Sequence, residues 1–92
     1  MPIQLDPPRT LIQHIDEAGR ALIGIWACAA SPITAEICAS CGLDYVLIDA
    51  EHSPNDLTSL LHQLHATSSY PASTIVRVPI NDERLIKQYL DL

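Results

Sequence analysis

The stretch YVLIDAEHSPN, residues 45–55, decides the fold that this sequence predicts. Four apolar residues lead into Asp49, and a Ser-Pro-Asn-Asp turn then precedes a new amphipathic segment. Short apolar runs are typical of strands buried in a parallel sheet, and α/β enzymes carry their chemistry on the loops that leave the carboxyl ends of such strands. Asp49, Glu51 and His52 are therefore placed for catalysis. The alternative is that Asp49 caps the loop, Glu51 is solvated and His52 packs on the next helix.

The segments on either side of this stretch continue the alternation of strand and helix. Strands are predicted over residues 21–28, 45–49 and 74–78, and helices begin near residues 10, 32, 56 and 82. The second helix is predicted to start at Ser31-Pro32, and the last two have Asn55 or Asp56 and Asn81 or Asp82 as alternative caps. This order, α-(βα)₃, predicts an α/β fold with parallel strands and right-handed connections. Flavodoxin-like folds and (β/α)₈ TIM barrels both begin this way, and three strands complete neither. A flavodoxin-like binding domain is disfavoured because residues 27–32 (ACAASP) lack a glycine-rich phosphate loop.

The composition of the chain excludes two classes of binding protein. The 92 residues carry five basic against eleven acidic side chains, a net charge of −6. Nucleic-acid binding and polybasic membrane anchoring both require clustered basic residues, so both are excluded. We expect a cytoplasmic protein, because no signal peptide or membrane span is recognisable and the cysteines are odd in number.

Arg77 is the second candidate for chemistry, since it ends an otherwise apolar strand. Parallel strands end at one rim of the sheet, so Arg77 should lie near His52. A guanidinium there matches a carboxylate or a developing enolate oxygen. The alternative is an arginine that pairs with Asp82 or Glu83.

Several other residues are given structural roles. Cys38 and Cys41 form a CxxC motif at the C-terminal end of a helix, where the helix dipole opposes a reactive thiolate, so we interpret them as small core-facing residues. We expect His14, His62 and His65 at surface or boundary positions.

These residues resemble the HpcH/HpaI aldolase family of metal-dependent class II pyruvate aldolases. The matching segments, in family order, are residues 24–26 (GIW), 35–37 (AEI), 42–55 (GLDYVLIDAEHSPN), 76–79 (VRVP) and 86–91 (IKQYLD). The Asp-x-Glu-His loop, with a strand-end arginine about 25 residues later, is a fairly specific signal. Ala50 stands where the family often has glycine or threonine.

The resemblance implies that residues 1–92 are the N-terminal part of a (β/α)₈ barrel of roughly 250 residues, commonly assembled as a homo-oligomer such as a hexamer. It implies cleavage of a 4-hydroxy-2-oxo acid to pyruvate and an aldehyde through an enolate bound to Mg²⁺, Mn²⁺ or Co²⁺. The implied site residues are His52 as base, Asp91 as its carboxylate partner, Arg77 as the group that neutralises the enolate oxygen, Asp49 and Glu51 as holders of the metal's water ligands, and Trp26 as a pocket wall.

In this family the direct metal ligands, a glutamate and an aspartate, lie in later strands than those of this chain. We therefore expect the 92 residues alone to be inactive. The alternative function is a non-catalytic half-barrel that docks on a complete or complementary barrel, since three parallel strands leave exposed edges.

Overall fold

A computed structural model describes residues 9–92 of the chain. The elements in chain order are α1 (Leu11–Ala18), β1 (Gly24–Ala27), α2 (Pro32–Ser40), β2 (Tyr45–Asp49), α3 (Leu57–Thr67), β3 (Ser73–Arg77) and α4 (Glu83–Leu90). The strands form one parallel sheet in the order β1-β2-β3. The predicted α-(βα)₃ order is thus confirmed.

Residues 1–8, where no signal peptide is predicted, lie outside the described residues. No helix within residues 9–92 is long and apolar enough to cross a membrane.

Side-chain caps start the helices at the residues where the sequence predicts them. Each cap accepts a hydrogen bond from the backbone N–H three residues later, which satisfies a donor that the first helical turn leaves unpaired. The four N-caps are Thr10, Ser31, Asp56 and Asp82. Of the two alternatives at each of the last two helices, the aspartate that directly precedes the helix is therefore the cap.

The core lies between the sheet and the packed pair α2 and α3. Val46 and Ile48 point from β2 into this layer, where they meet Leu60 of α3 and two small residues, Ala27 and Ala39. All five are buried. Small residues at these positions allow α2 and α3 to approach the sheet closely, so β2 is held as the central strand that delivers its last residue to the rim.

The first strand is shorter than expected. Residues 21–23 lie before it, because the Ile23 amide donates to the Asp44 carboxylate at 2.9 Å and the Ile23 carbonyl accepts from the Asp44 amide at 2.8 Å. A side chain thus takes the place of a strand neighbour. The third strand is shifted by one residue, so that it begins at Ser73 and ends at Arg77 rather than Val78.

The surface position expected for His14 is wrong. His14 is 5% exposed, its Nδ1 lies 2.8 Å from Ser73 Oγ, and its Nε2 lies 3.8 Å from Asp44 Oδ1. Ile12 of the same helix is instead 72% exposed. Helix α1 therefore places His14 against the amino ends of the strands, where Asp44 and Ser73 supply polar partners for its imidazole.

The predictions for the other two histidines are confirmed, whereas the prediction for the two cysteines of the CxxC motif is confirmed for only one of them. His62 and His65 are exposed as expected. Cys38 packs against the core, but Cys41 is exposed at the C-terminal end of α2, so the core-facing prediction is wrong for Cys41. Its thiol donates to the Cys38 carbonyl at 3.1 Å, which ties it to the end of the helix.

Candidate active site

The carboxyl edge of the sheet brings two of the predicted site residues side by side. Asp49 is the last residue of β2 and Arg77 is the last residue of β3, and the two are register partners across the parallel ladder. The Ala50 amide donates to the Arg77 carbonyl at 2.9 Å, which extends the pairing one residue past β2. The loop after β2 is thereby tied to the end of β3.

Asp49 is buried and organises the loop that follows it. Its Oδ1 accepts hydrogen bonds from the backbone N–H of Glu51 at 2.8 Å and of His52 at 3.2 Å. The Glu51 N–H, with smaller contributions from the His52 N–H and the Arg77 charge, holds the pKa of Asp49 below its ordinary value, although burial opposes this. Asp49 is therefore an anionic residue that caps the loop, as the alternative interpretation of the sequence required.

Arg77 is held on two sides. Its Nε lies 2.7 Å from Glu51 Oε2, and one terminal nitrogen lies 3.9 Å from Asp49 Oδ2. The guanidinium carbon lies 5.6 Å from the centroid of the Trp26 ring, within the range of a cation–π interaction. Arg77 thus pairs with the loop after β2 rather than with Asp82 or Glu83, and its side chain stays 36% exposed.

His52 projects from the loop into solvent, with 69% of its side chain exposed. Its Nε2 lies 3.6 Å from Glu51 Oε1, so Glu51 stands between the imidazole and the guanidinium of Arg77. His52 does not pack on α3. The structure therefore brings together Asp49, Glu51, His52, Arg77 and Trp26 at one rim.

Asp91 lies apart from this group. It follows α4 as the C-cap, is exposed, and its amide donates to the Lys87 carbonyl at 3.2 Å. Among residues 9–92, the carboxylate that pairs with His52 is that of Glu51, and Asp91 forms no ion pair with it. The partnership of His52 and Asp91 stays a prediction.

The donor set of this rim does not fit a directly bound metal ion. No group of three or more His, Cys, Asp or Glu residues within residues 9–92 is arranged to hold one. Asp49 Oδ1 is occupied by two amide donors and Glu51 Oε2 by the Arg77 guanidinium. These carboxylates are instead arranged to orient neighbouring groups.

Comparison with known proteins identifies the family. The family described as HpcH/HpaI aldolase/citrate lyase matches residues 22–92. The chain belongs to this family. A hydroxypyruvate/pyruvate aldolase of Deinococcus radiodurans is 50% identical over 91 residues, which are 99% of this chain and 33% of that protein. A 4-hydroxy-2-oxo-heptane-1,7-dioate aldolase of Salmonella dublin is 46% identical over 76 residues, 83% of this chain and 29% of that protein.

Solved structures agree with this assignment. A HpcH/HpaI aldolase/citrate lyase family protein from Burkholderia cenocepacia superposes with a TM-score of 0.82 at 36% identity, over 88% of this chain and 32% of that one. Macrophomate synthase superposes with a TM-score of 0.77 at 30% identity, over 91% and 30%. The α/β fold, as the N-terminal α-(βα)₃ portion of a (β/α)₈ barrel, is thus confirmed. The chain spans about a third of the length of the relatives it matches.

Two residues of the site were missed by the sequence analysis. Asn55 was considered only as a helix cap, yet its side chain contacts the backbone of Asp49. Gln63 was not considered, yet it is fully buried on α3 and contacts Asn55. The signal for Gln63 was available, since it lies three residues after Leu60 on the core-facing side of an amphipathic helix.

Proposed function

We propose that this chain supplies the acid–base and enolate-stabilising residues of a metal-dependent aldolase that cleaves 4-hydroxy-2-oxo acids to pyruvate and an aldehyde. The observation that carries the proposal is the position of Arg77. A guanidinium held 2.7 Å from Glu51 and over the Trp26 ring is fixed beside the one exposed imidazole of the rim. A base next to a preorganised cation is the arrangement that enolate-forming cleavage requires.

In the proposed reaction, His52 accepts the proton of the 4-hydroxyl group, directly or through a water molecule. The C3–C4 bond then breaks, C4 becomes the aldehyde carbon, and the bonding electrons form the enolate of pyruvate. Negative charge develops on the C2 oxygen, where Arg77 neutralises it. Protonation of the enolate at C3 by the conjugate acid of the base releases pyruvate and restores His52.

The acids have orienting roles in this proposal. Asp49 fixes the loop through its two amide contacts, and Glu51 aligns Arg77. A divalent cation (Mg²⁺, Mn²⁺ or Co²⁺) bound by ligands from other parts of the barrel would withdraw electron density from the keto acid, and Asp49 and Glu51 would contact its water ligands. Asp91 is proposed to orient His52, which requires the segment after α4 to approach the loop.

The test is a chimera in which this chain replaces the matching part of the Salmonella dublin 4-hydroxy-2-oxo-heptane-1,7-dioate aldolase. We expect Mn²⁺-dependent release of pyruvate from 4-hydroxy-2-oxoheptanedioate, followed with a lactate dehydrogenase couple. His52→Gln should lower kcat about 10²–10⁴-fold, the usual contribution of a general base. His62→Gln is the matched control, because His62 is exposed on α3 away from the rim. Wild-type activity in a folded His52→Gln chimera would refute the assignment.

The isolated 92-residue chain belongs in the same assay. We expect it to release no pyruvate, because its rim lacks a donor set for the metal ion. Metal-dependent turnover by the purified chain would contradict this expectation.

We further propose that the whole protein is a cytoplasmic homo-oligomer that acts on a small 2-oxo acid.

A second function is favoured by the apolar surface of the described residues. Ile33 and Ile37 on α2 are 72% and 61% exposed, and β1 and β3 each have one edge unpaired within residues 9–92. A non-catalytic half-barrel that docks on a complete or complementary barrel would cover such surfaces. Sedimentation of the chain with the Deinococcus radiodurans aldolase tests this, since a docking module would co-sediment and an isolated catalytic segment would not.

A further inference from the structure

A buried glutamine on α3 has no role in the proposed chemistry and is not explained by packing alone. Gln63 is 0% exposed, one turn after the core residue Leu60. Its Nε2 donates to Asn55 Oδ1 at 2.6 Å and to the Ser59 carbonyl at 3.0 Å. A buried amide costs free energy unless it is hydrogen-bonded, so an apolar residue would pack here at lower cost. The contact with Asn55 is what distinguishes glutamine from leucine at this position.

Asn55 carries that contact to the catalytic loop. Its Nδ2 donates to the Asp49 carbonyl at 2.8 Å and to Ser53 Oγ at 2.9 Å. Its Oδ1 accepts from Gln63 and, at 3.1 Å, from Ser59 Oγ. Ser53 Oγ also donates to the Asp49 carbonyl. The Asn55 side chain, at the end of the loop 49–55, is therefore hydrogen-bonded to the backbone of Asp49, the residue at which the loop begins.

The orientation of both amides follows from these partners. The Asp49 carbonyl can only accept, so the Asn55 amide must present its nitrogen to it and its oxygen to Gln63. Gln63 must then present its nitrogen, because both Asn55 Oδ1 and the Ser59 carbonyl are acceptors. This leaves Gln63 Oε1 as a buried oxygen without a hydrogen-bond partner among the described residues. The unpaired oxygen lowers the stability of the fold, while the remaining hydrogen bonds fix the positions of the Asn55 and Gln63 amides.

We propose that Asn55 and Gln63 are positioning residues that hold the loop 49–55 in the shape required by His52 and Glu51. The pair is called the loop clamp. It anchors the Asp49 carbonyl to α3, while the Ala50 amide anchors the other side of the loop to β3. With both anchors in place, Asp49 Oδ1 meets the amides of Glu51 and His52. The relevance to catalysis rests on the function proposed above, but the geometry of the loop does not.

The experiment measures loop geometry in the 92-residue chain by NMR. The variants are Asn55→Asp, which places an acceptor against the Asp49 carbonyl, and Gln63→Met, which keeps a side chain of similar length and removes the donor. We expect amide exchange at Glu51 and His52 to rise about five- to tenfold, the effect of losing one hydrogen bond. We also expect the Asp49 pKa to rise toward its ordinary value.

Thr67→Val is the matched control. Thr67 is 1% exposed on the same helix, one turn beyond Gln63, and its hydroxyl contacts Leu64 and Thr74 rather than the loop. We expect amide exchange at Glu51 and His52 in this variant, measured relative to global unfolding, to stay as in the wild type, because the Thr67 hydroxyl does not contact the loop. Unchanged exchange and an unchanged Asp49 pKa in both Asn55→Asp and Gln63→Met would overturn the proposal.

Activity in the chimera separates the clamp from the proposed reaction. If both proposals hold, Gln63→Met lowers kcat with little change in KM, because the clamp positions the base and does not contact substrate. If the NMR readouts move as expected but His52→Gln is fully active, the loop clamp stands and the proposed reaction falls. If His52→Gln is inactive but the NMR readouts do not move, the clamp falls alone.

Discussion

Replacement of Arg77 by lysine tests the arrangement of the rim more directly than any truncation, because charge is kept and only geometry changes. The guanidinium meets Glu51 through Nε at 2.7 Å and still has terminal N–H groups left for a developing oxyanion. It also lies 5.6 Å from the Trp26 ring centroid. The compact ammonium of lysine cannot contact Glu51 and an enolate oxygen at the same time with the same fixed fork.

The size of the effect follows from the number of donors lost. Removal of one preorganised donor to an oxyanion lowers kcat about 10²–10³-fold. The contact with Trp26 adds about 0.5–1 kcal/mol at an exposed site, and lysine retains part of it. We therefore expect kcat of the Arg77→Lys chimera to fall about 10²–10³-fold, with KM for the keto acid nearly unchanged.

Arg20→Lys is the control, because it makes the same chemical change at the opposite end of the strands. Arg20 there contacts both carboxylate oxygens of Asp44, at 2.7 and 2.8 Å. Pyruvate release should remain at the level of the parent chimera. An Arg77→Lys enzyme that keeps its kcat, or an Arg20→Lys enzyme that loses kcat equally while still folded, would refute the assignment of Arg77 to the enolate.

Three further predictions concern the fold. Leu60→Ala should reduce the free energy of unfolding by about 2–5 kcal/mol in urea titrations, because Leu60 is fully buried in the core. Gly24→Ala should cost about 1–3 kcal/mol in the same titrations, because a Cβ at Gly24 would fall on the ring of Tyr45. The pKa of Asp44 is held well below its usual range, chiefly by the Arg20 guanidinium. The ionised Asp44 carboxylate therefore stabilises the fold above the ordinary aspartate pKa of about 3.9, and this stabilisation is lost as the pH falls below that value. Acid unfolding of Asp44→Asn, followed by circular dichroism, should show a weaker dependence on pH in that range than the wild type.

The sequence predicts the parts of the fold that depend on residues close to one another along the chain. The apolar run of β2, the Ser31-Pro32 start of α2 and the aspartate caps of α3 and α4 all act within one turn or one strand, and each lies where its residues predict it. The rim follows for the same reason. Parallel strands end on one side, so Asp49 and Arg77 had to be neighbours once β2 and β3 were paired.

The errors of the sequence analysis arise where distant residues compete for the same group. Apolar periodicity assigned the exposed face of α1 to His14, but Asp44 and Ser73 supply polar partners that only the folded chain brings together. The Asp44 carboxylate likewise takes the Ile23 amide and shortens β1. Asn55 and Gln63 are eight residues apart, and their amides meet because Asn55, just before α3, turns its side chain along the helix toward Ser59 and Gln63.

The charges at the rim lead to a last prediction, about metal binding by these 92 residues alone. Asp49 and Glu51 are the acids that a divalent ion would approach, yet a guanidinium lies 2.7 Å from Glu51 and 3.9 Å from Asp49. A divalent ion bound directly to these oxygens would have to displace Arg77 or accept its repulsion at short range. We therefore expect the isolated chain to bind Mn²⁺ only weakly, as measured by water proton relaxation, and the chimera to bind it much more tightly.

Substitution of the two acids distinguishes direct ligands from residues that orient the metal's water ligands. If Asp49 acts through those waters, Asp49→Asn in the chimera should weaken Mn²⁺ affinity about 10–100-fold, the usual effect of changing a residue that contacts metal ligands. In the isolated chain the same substitution should have little effect, because there is no tight site to perturb. Tight Mn²⁺ binding by the isolated chain that disappears in both Asp49→Asn and Glu51→Gln would mean that these carboxylates hold the ion themselves. The contacts of Asp49 and Glu51 with the loop amides and with Arg77 would then have to break on metal binding.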